Sequence, residues 1–236
     1  SAITAVERRA VTEAARRAGA VDAQLIEQPL AAAIGADMPI NEPIGNMVVD
    51  IGGGTTETAL LSLGGVVALE AVRVGSFDID AAIQAYVRRD YGIAIGERTA
   101  EEIKMVLGSA AATPDEVHAE VRGRELMSGL PKTVVLTPEE VREAIDEPVS
   151  AMIDSVISCL AQAPPELAQD LIVQGIHLVG GGGLLRGMVK RLEMETAVRV
   201  ILVDSPLEAV VLGAGTCIES YESVKAMFLD GGGRRR

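Results

Sequence analysis

The sequence predicts an α/β fold with a small inserted α+β unit, and three features point there. Short apolar runs suited to strands alternate with segments of helical period. Two such runs, 47–50 and 176–179, end in glycine clusters, at Gly52, Gly53 and Gly54 and at Gly180, Gly181, Gly182 and Gly183. In the middle of the chain, 117–121 and 133–136 form a separate pair of strand-like runs between helices.

Residues 4–18 place Val6, Ala10, Val11, Ala14 and Ala18 at helical spacing among charged side chains, and Gly19 closes the pattern, so an amphipathic helix is expected. Residues 20–26 alternate weakly, as a short strand would. Pro29 suits a helix start, and 30–36 are small and apolar enough for that helix to be buried. After the first glycines, 56–63 and 66–74 read as strands around a Gly64-Gly65 turn, completing a three-strand meander. Helices follow over 78–89 and 100–107, the second opened by Thr99 with Glu102 three residues on, the pattern of a capping box. A second box, Thr137-Pro138-Glu139-Glu140, opens a long helix toward Gln162, which Pro164-Pro165 stops. The strand 176–179 runs through its glycines into a helix over 184–196. A strand at 198–203 and a helix at 207–223 finish the pattern, and the tail 231–236 reads as disordered.

Composition narrows the function classes. Acidic residues outnumber basic ones by 34 to 21, a formal charge of −13, and the chain has three Tyr, two Phe and no Trp. A negative chain poor in stacking rings is expected to have no nucleic-acid partner. Cys159 and Cys217 lie far apart and His118 and His177 are the two histidines, which argues against a Cys-x-x-Cys or His-rich metal centre and for a reducing, cytoplasmic setting. No run of about 18 apolar residues is available to span a bilayer. Glu7, Arg8 and Arg9 occupy the place of a signal peptide's apolar centre. The start at Ser1, without an initiator Met, fits a processed or incomplete chain.

The sharpest motif is Val48-Val49-Asp50-Ile51-Gly52-Gly53-Gly54-Thr55-Thr56-Glu57. Glycine permits a tight turn with bare N–H groups, so consecutive amides can converge on an anion. Asp50 beside that anion would hold Mg²⁺ through water, and Thr55 offers a hydroxyl to phosphate or water, a pattern suited to a Mg-nucleotide. A plain hairpin with a glycine turn satisfies the same residues. The second motif, Ile176-His177-Leu178-Val179-Gly180-Gly181-Gly182-Gly183-Leu184-Leu185, would aim helix N-terminal amides at a phosphate, although a tight strand-to-helix connection explains it too. It is not a G-x-G-x-x-G fingerprint, because Leu185 and Arg186 stand at the third-glycine places. Nor is it a P-loop, because Met188 stands where Lys is needed. Glu101 and Lys104 lie three apart on one helix and could reach a ribose or base, or form a solvated ion pair. His177 reads as a packed side chain and the cysteines as core fillers. Nothing suggests a nucleophile-plus-base site.

These residues resemble the MreB family of bacterial cell-shape actins, within the superfamily of actin, heat-shock-chaperone and sugar-kinase ATPases. The resemblance runs almost end to end. It rests on Ile3-Thr4-Ala5-Val6-Glu7-Arg8-Arg9-Ala10, on Ile26-Glu27-Gln28-Pro29-Leu30-Ala31-Ala32-Ala33-Ile34-Gly35, on 47–57 and 99–104, on Pro164-Pro165-Glu166-Leu167-Ala168, and on the glycine run from Gly180. It implies an actin-like ATPase fold in which 43–78 and 143–212 form the second large, nucleotide-binding domain. Residues 79–142 would be the small inserted subdomain, and 1–42 with 213–236 an incomplete first domain.

The resemblance further implies ATP and Mg²⁺ as cofactors. Asp50 would serve the metal through water, and Gly52, Gly53, Gly54 and Thr55 the β- and γ-phosphates. Glu101, Glu102, Ile103 and Lys104 would meet the ribose and base, and Gly180, Gly181, Gly182 and Gly183 the adenosine diphosphate. Gln28 and Thr55 take the catalytic places. Val6 falls on the helix that pairs protofilaments in the family, although ordinary packing explains it as well. The implied role is self-association into filaments that organise peptidoglycan synthesis with the cell-wall elongation machinery, in the cytoplasm and apposed to the membrane.

Three departures accompany the match. The family carries a further N-terminal segment with an Asp-Leu-Gly-Thr phosphate loop and a membrane-binding stretch, neither of which is among these residues. Gln28 stands where the family usually has a Glu that orients the attacking water, and an amide cannot accept a proton as a base. Ser76-Phe77 stands where the family has Gly-Asp, which adds bulk near the expected phosphate site. Two expectations therefore stand side by side, an ATP-binding polymer and a hydrolysis-deficient interaction subunit or fragment.

Overall fold

The computed structural model describes residues 4–112, 114 and 117–229; Ile3 of the first matching segment and the tail 231–236 lie outside the described residues. In chain order the elements are α1 (Ala5–Arg17), α2 (Gln28–Gly35), β1 (Asn46–Ile51), β2 (Thr56–Ser62), β3 (Gly65–Val72), α3 (Ser76–Tyr91), β4 (Ile93–Ala94), α4 (Glu97–Leu107), β5 (Ala119–Glu125), β6 (Pro131–Leu136), α5 (Pro138–Ala161), α6 (Pro165–Gln174), β7 (Ile176–Val179), α7 (Met188–Thr196), β8 (Val200–Leu202), α8 (Ala209–Glu219) and α9 (Tyr221–Val224). A mixed five-stranded sheet has the order β3-β2-β1-β7-β8, with β1 antiparallel to β2 and parallel to β7. A second, antiparallel sheet, β4-β5-β6, belongs to the middle of the chain.

All six residues of β1 are buried, because helices cover both faces of the sheet. Side chains alternate along a strand, so Met47, Val49 and Ile51 enter one core with Ile83 of α3 and Ile145 and Met152 of α5, while Val48 enters another with Leu30, Ala32 and Ala33 of α2. Ile51, Ile83, Ile145 and Met152 are essentially without exposed surface. Each such side chain contributes about 1.5–3 kcal/mol on burial. Asp50 and Asn46 are the polar residues of this strand, on the same face as Val48, and Asp50 is the charged one.

The helix α5 is opened by the capping box expected for it: Thr137 Oγ1 accepts from the Glu140 N–H, and Glu140 Oε2 accepts from the Thr137 N–H at 2.8 Å. The other expected box does not form. The helix α4 starts three residues earlier, after Gly96, so Thr99 lies inside it and caps nothing. Residues 20–26 form no strand; Ile26 makes one isolated bridge, to Phe228. The meander turn is Leu63–Gly64, both with positive φ as a tight hairpin requires, and Gly65 already belongs to β3. The helix after Gly180 is delayed to Met188, with a short 3-10 turn, Gly181–Leu184, in between. The helix expected at 207–223 is divided at Ser220 into α8 and α9. The sequence pattern missed β4, two residues long, and α6, whose start coincides with the proline pair read only as a stop.

The helices α2 and α8 pack at backbone distance. A Cβ on Gly35 would lie 1.9 Å from the Ala209 carbonyl oxygen, and one on Gly213 would lie 1.8 Å from that of Ala31. A Cβ on Gly215, in the same helix as Gly213, would meet nothing within 4 Å. Gly213→Ala is therefore expected to cost about 2–3 kcal/mol through overpacking, and Gly215→Ala to add about 0.5–1 kcal/mol by removing backbone freedom from the unfolded chain. Urea unfolding of the pair checks this; two equal midpoints would refute the close crossing.

Candidate functional site

β1 ends and β2 begins in a hairpin closed by the Gly52 N–H donating to Thr55 O at 2.9 Å, which leaves Gly53 and Gly54 at its tip. The helix α3 grips this tip. The Ser76 N–H donates to Gly52 O at 3.0 Å and the Phe77 N–H to Gly53 O at 2.8 Å. A trans peptide is planar, with C=O and the following N–H pointing opposite ways. Carbonyls drawn toward α3 therefore turn the Gly53 and Gly54 N–H groups away from it. Among the described residues these two N–H groups and that of Thr55 have no hydrogen-bond partner. Gly75 allows the approach, since a Cβ there would sit 2.5 Å from Gly53 O.

The second turn meets the first because β1 and β7 are parallel neighbours with Asp50 opposite Val179, so both strands leave the sheet at the same edge. Ligands commonly bind beyond the carboxyl ends of such strands. Gly180 has φ +83°, and a Cβ on it would lie 2.3 Å from Ile51 O and 2.5 Å from Asp50 Oδ1. A Cβ on Gly182 would strike the Ile51 side chain at 2.1 Å. Only glycine fits at these two places. The Gly181 and Gly182 N–H groups, at the start of the 3-10 turn, are likewise without a partner among the described residues.

Between the turns lies a cavity of about 600 Å³. Asp50 sits at its floor, 3% exposed, and its Oδ2 accepts from Gln28 Nε2 at 2.8 Å. Gln28 opens α2, so the helix start places the amide against the acid. On the opposite wall Lys104 Nζ contacts Asp80 Oδ2 at 2.9 Å and Ser76 O at 3.4 Å, joining α4 to the start of α3. Arg186 follows the second turn, and its guanidinium donates to the carbonyls of Val106 and Gly108 at the end of α4, at 2.9 and 3.2 Å. Among the described residues no group of three His, Cys, Asp or Glu could hold a metal by itself. A cation beside Asp50 would have to share its remaining ligands with water or a bound anion, which is the habit of Mg²⁺. The buried Asp50 carboxylate and the amides on both sides fit that arrangement.

Of the residues selected from sequence, Gln28, Asp50, Gly52, Gly53, Glu101, Lys104, Gly180, Gly181 and Gly182 line the cavity. Others lie elsewhere. Gly54 is at the exposed tip of the hairpin and Thr55 is beside the lining, not in it. Gly183 packs behind the turn, where a Cβ would touch Leu178. Glu102 faces outward and pairs with Arg98, and Ile103 is buried in the core that also holds Met47 and Ile145. The Glu101–Lys104 ion pair considered from spacing is replaced by Lys104–Asp80, because the side chain turns toward α3. Because the helix begins only at Met188, the second turn is not an α-helix N-terminus.

Ser76, expected from sequence only as bulk near the phosphate site, lines the cavity; Met105, Arg186, Pro206 and Leu207 line it unforeseen. Arg186, next to the glycine run, was the one with a local signal. His177 lies outside the lining with its Nδ1 buried, and burial followed by the nearby Arg199 charge lowers its pKa. Both cysteines are buried and free, as expected of core fillers, and burial pushes the Cys159 thiol up to about 11.

Burial raises the Asp50 carboxyl above its ordinary value, with the Gln28 hydrogen bond pulling the other way. An acid with a raised folded pKa keeps its proton longer than the unfolded chain does, so stability falls as pH rises from the unfolded value through the folded one. Asp50→Asn keeps an oxygen to accept from Gln28. It is expected to raise the melting temperature of the ligand-free protein near neutral pH, and to leave it unchanged below the ordinary carboxylate range. Equal melting temperatures at neutral pH would remove burial as the dominant influence.

The family model described as MreB/Mbl protein matches residues 1–226. The chain is 49% identical over 219 residues to the cell shape-determining protein MreB of Escherichia coli K12, covering 93% of this chain and 63% of that protein. To the cell shape-determining protein Mbl of Bacillus subtilis 168 it is 41% identical over 224 residues, covering 94% of this chain and 67% of the relative. The crystal structure of MreB5 of Spiroplasma citri bound to AMPPNP superposes with a TM-score of 0.90 at 34% identity, covering 94% of this chain and 67% of that one. The chain thus spans 63% of the length of the Escherichia coli protein. With an actin-like fold and a family match across nearly its whole length, the chain belongs to the MreB/Mbl family.

Proposed function

We propose that the cavity binds an adenine nucleotide with Mg²⁺. The observation that carries this reading is the contact of Gly180 with Asp50, which brings partner-free amides from two turns to either side of one buried carboxylate. The AMPPNP in the Spiroplasma citri structure supports it. In this arrangement the Gly53 and Gly54 N–H groups receive the terminal phosphates, and Gly180, Gly181 and Gly182 face the diphosphate. Asp50 holds the metal's water shell, and Glu101 and Lys104 stand at the ribose and base. The bound metal supplies charge neutralisation for the phosphates.

The chain is further proposed to be part of a filament-forming protein that sets cell shape by organising peptidoglycan synthesis with the wall-elongation machinery, in the cytoplasm. The relatives' names, cell shape-determining proteins, support the cell-shape part of that role. The outer face of α1 is the proposed contact between protofilaments. Val6 is 76% exposed, and no residue of α1 is buried, so Val6 has no core role among the described residues.

A second reading, a form deficient in hydrolysis, is favoured by Gln28. Its NH₂ group is held by Asp50, and a neutral amide cannot take a proton from water. The division into a large nucleotide-binding domain, a small inserted subdomain at 79–142 and a partial first domain belongs to the same proposal.

Titration of AMPPNP with Mg²⁺ into the purified chain is expected to show binding, and Asp50→Ala is expected to remove its Mg²⁺ dependence. Equal affinity in wild type and variant would sink the metal assignment. Val6→Glu sets like charges against each other wherever the helix meets its own copy, and is expected to weaken self-association at least about tenfold. Its melting temperature should match the wild type, since Val6 is outside the core. Unaltered sedimentation would exclude α1 as the contact.

A further inference from the structure

We propose that Phe77 is a positioning residue for the phosphate turn: its ring closes the solvent side of Gly53 and keeps the Gly53 and Gly54 N–H groups presented to a polyphosphate. This rests on the nucleotide reading of the cavity and assigns one side chain a task within it.

The ring lies directly on the glycine. A Cβ added to Gly53 would be 2.7 Å from Phe77 Cε2 and 2.8 Å from Cζ, closer than any real contact, so the ring occupies the space that a side chain would take. The backbone of the same residue holds Gly53 from another direction, through the Phe77 N–H to Gly53 O bond at 2.8 Å. One residue therefore grips the tip of the hairpin twice. Yet the side chain is 68% exposed and belongs to neither core. A large apolar ring left in water gains little for the fold by burial. What it touches is the turn.

The physical need is specific. A Gly-Gly tip can adopt backbone conformations of either sign of φ, so its central peptide is free to rotate unless something opposes it. Rotation would replace the Gly54 N–H with the Gly53 carbonyl, turning a donor for phosphate into an oxygen that repels it. The Phe77 N–H to Gly53 O bond opposes that rotation, and water at the exposed tip competes with it. A ring packed on Gly53 excludes such water and fills the volume through which the peptide would swing. The two neighbouring glycines complete the arrangement: Gly75 lets α3 approach, and Gly52 supplies the carbonyl held by Ser76.

Calorimetric titration with AMPPNP and, separately, with adenosine, both with Mg²⁺, tests the proposal on wild type, Phe77→Ala and Phe77→Tyr. The alanine variant is expected to lose about tenfold or more in affinity for AMPPNP, the equivalent of one charge-assisted hydrogen bond, while adenosine binding stays unchanged. The tyrosine variant, which keeps an aromatic ring at this position, is expected to restore AMPPNP affinity well above that of the alanine variant. Wild-type AMPPNP affinity in Phe77→Ala would overturn the proposal and leave the nucleotide site standing. A parallel loss of adenosine would also overturn it, by showing a general disturbance of the cavity, as would a tyrosine variant as weak as alanine. If wild type binds neither compound, the nucleotide reading itself falls and this inference with it.

Discussion

The contact on which the site depends is the one between Gly180 and the end of β1. The positive φ of Gly180 turns the chain back across Asp50 and Ile51 at distances no side chain would survive. Because β1 and β7 are parallel and in register at Asp50 and Val179, both turns leave the sheet side by side. The approach has an electrostatic consequence. It takes the Asp50 carboxylate out of water with one hydrogen bond, from Gln28, in exchange. A carboxylate held this way is poorly solvated, which raises its pKa and leaves it attractive to a cation.

The helix α4 ties the two turns together from the far side of the cavity. At Lys104 it reaches Asp80 and Ser76, and so the helix that holds the first turn. At its carboxyl end the carbonyls of Val106 and Gly108 accept from Arg186, which follows the second turn. A guanidinium at a helix C-terminus is favourably placed against the helix dipole. The ring of bonds from first turn to α3, to α4, to second turn closes around the cavity.

The first helix illustrates the limits of periodicity. The capping box at Thr4 and Glu7 forms, and Val6 and Val11 recur as a stripe, but the stripe faces out. Arg8 and Thr12 face the body instead, with Arg8 Nη2 3.9 Å from Glu27, the residue before Gln28. An apolar stripe records that a surface is to be covered and does not say by what. Here the charged contact lies on the side facing the body, and the apolar side is exposed.

Local chemistry made much of this protein legible in sequence. The meander, the Thr137 capping box, the strand ends carrying Asp50 and Gly180, and the helix of small residues after Gln28 all depend on neighbours within a few positions, and all formed. The family was legible too, since its motifs are contiguous. What sequence spacing did not decide was which residues of a motif face the cavity. Glu102 and Ile103 sit next to lining residues but rotate to solvent and to core, because a helix of 3.6 residues per turn offers only part of its surface to any one wall. Lys104 pairs with Asp80 of α3, at 2.9 Å, and not with Glu101 on its own helix. Pro206 and Leu207 reach the site from beyond β8, more than twenty positions after the glycine run. The sequence by itself determined the turns, the strands that carry them and their amides; tertiary packing decided that the two turns face each other, because only the parallel pairing of β1 with β7 places Gly180 on Asp50.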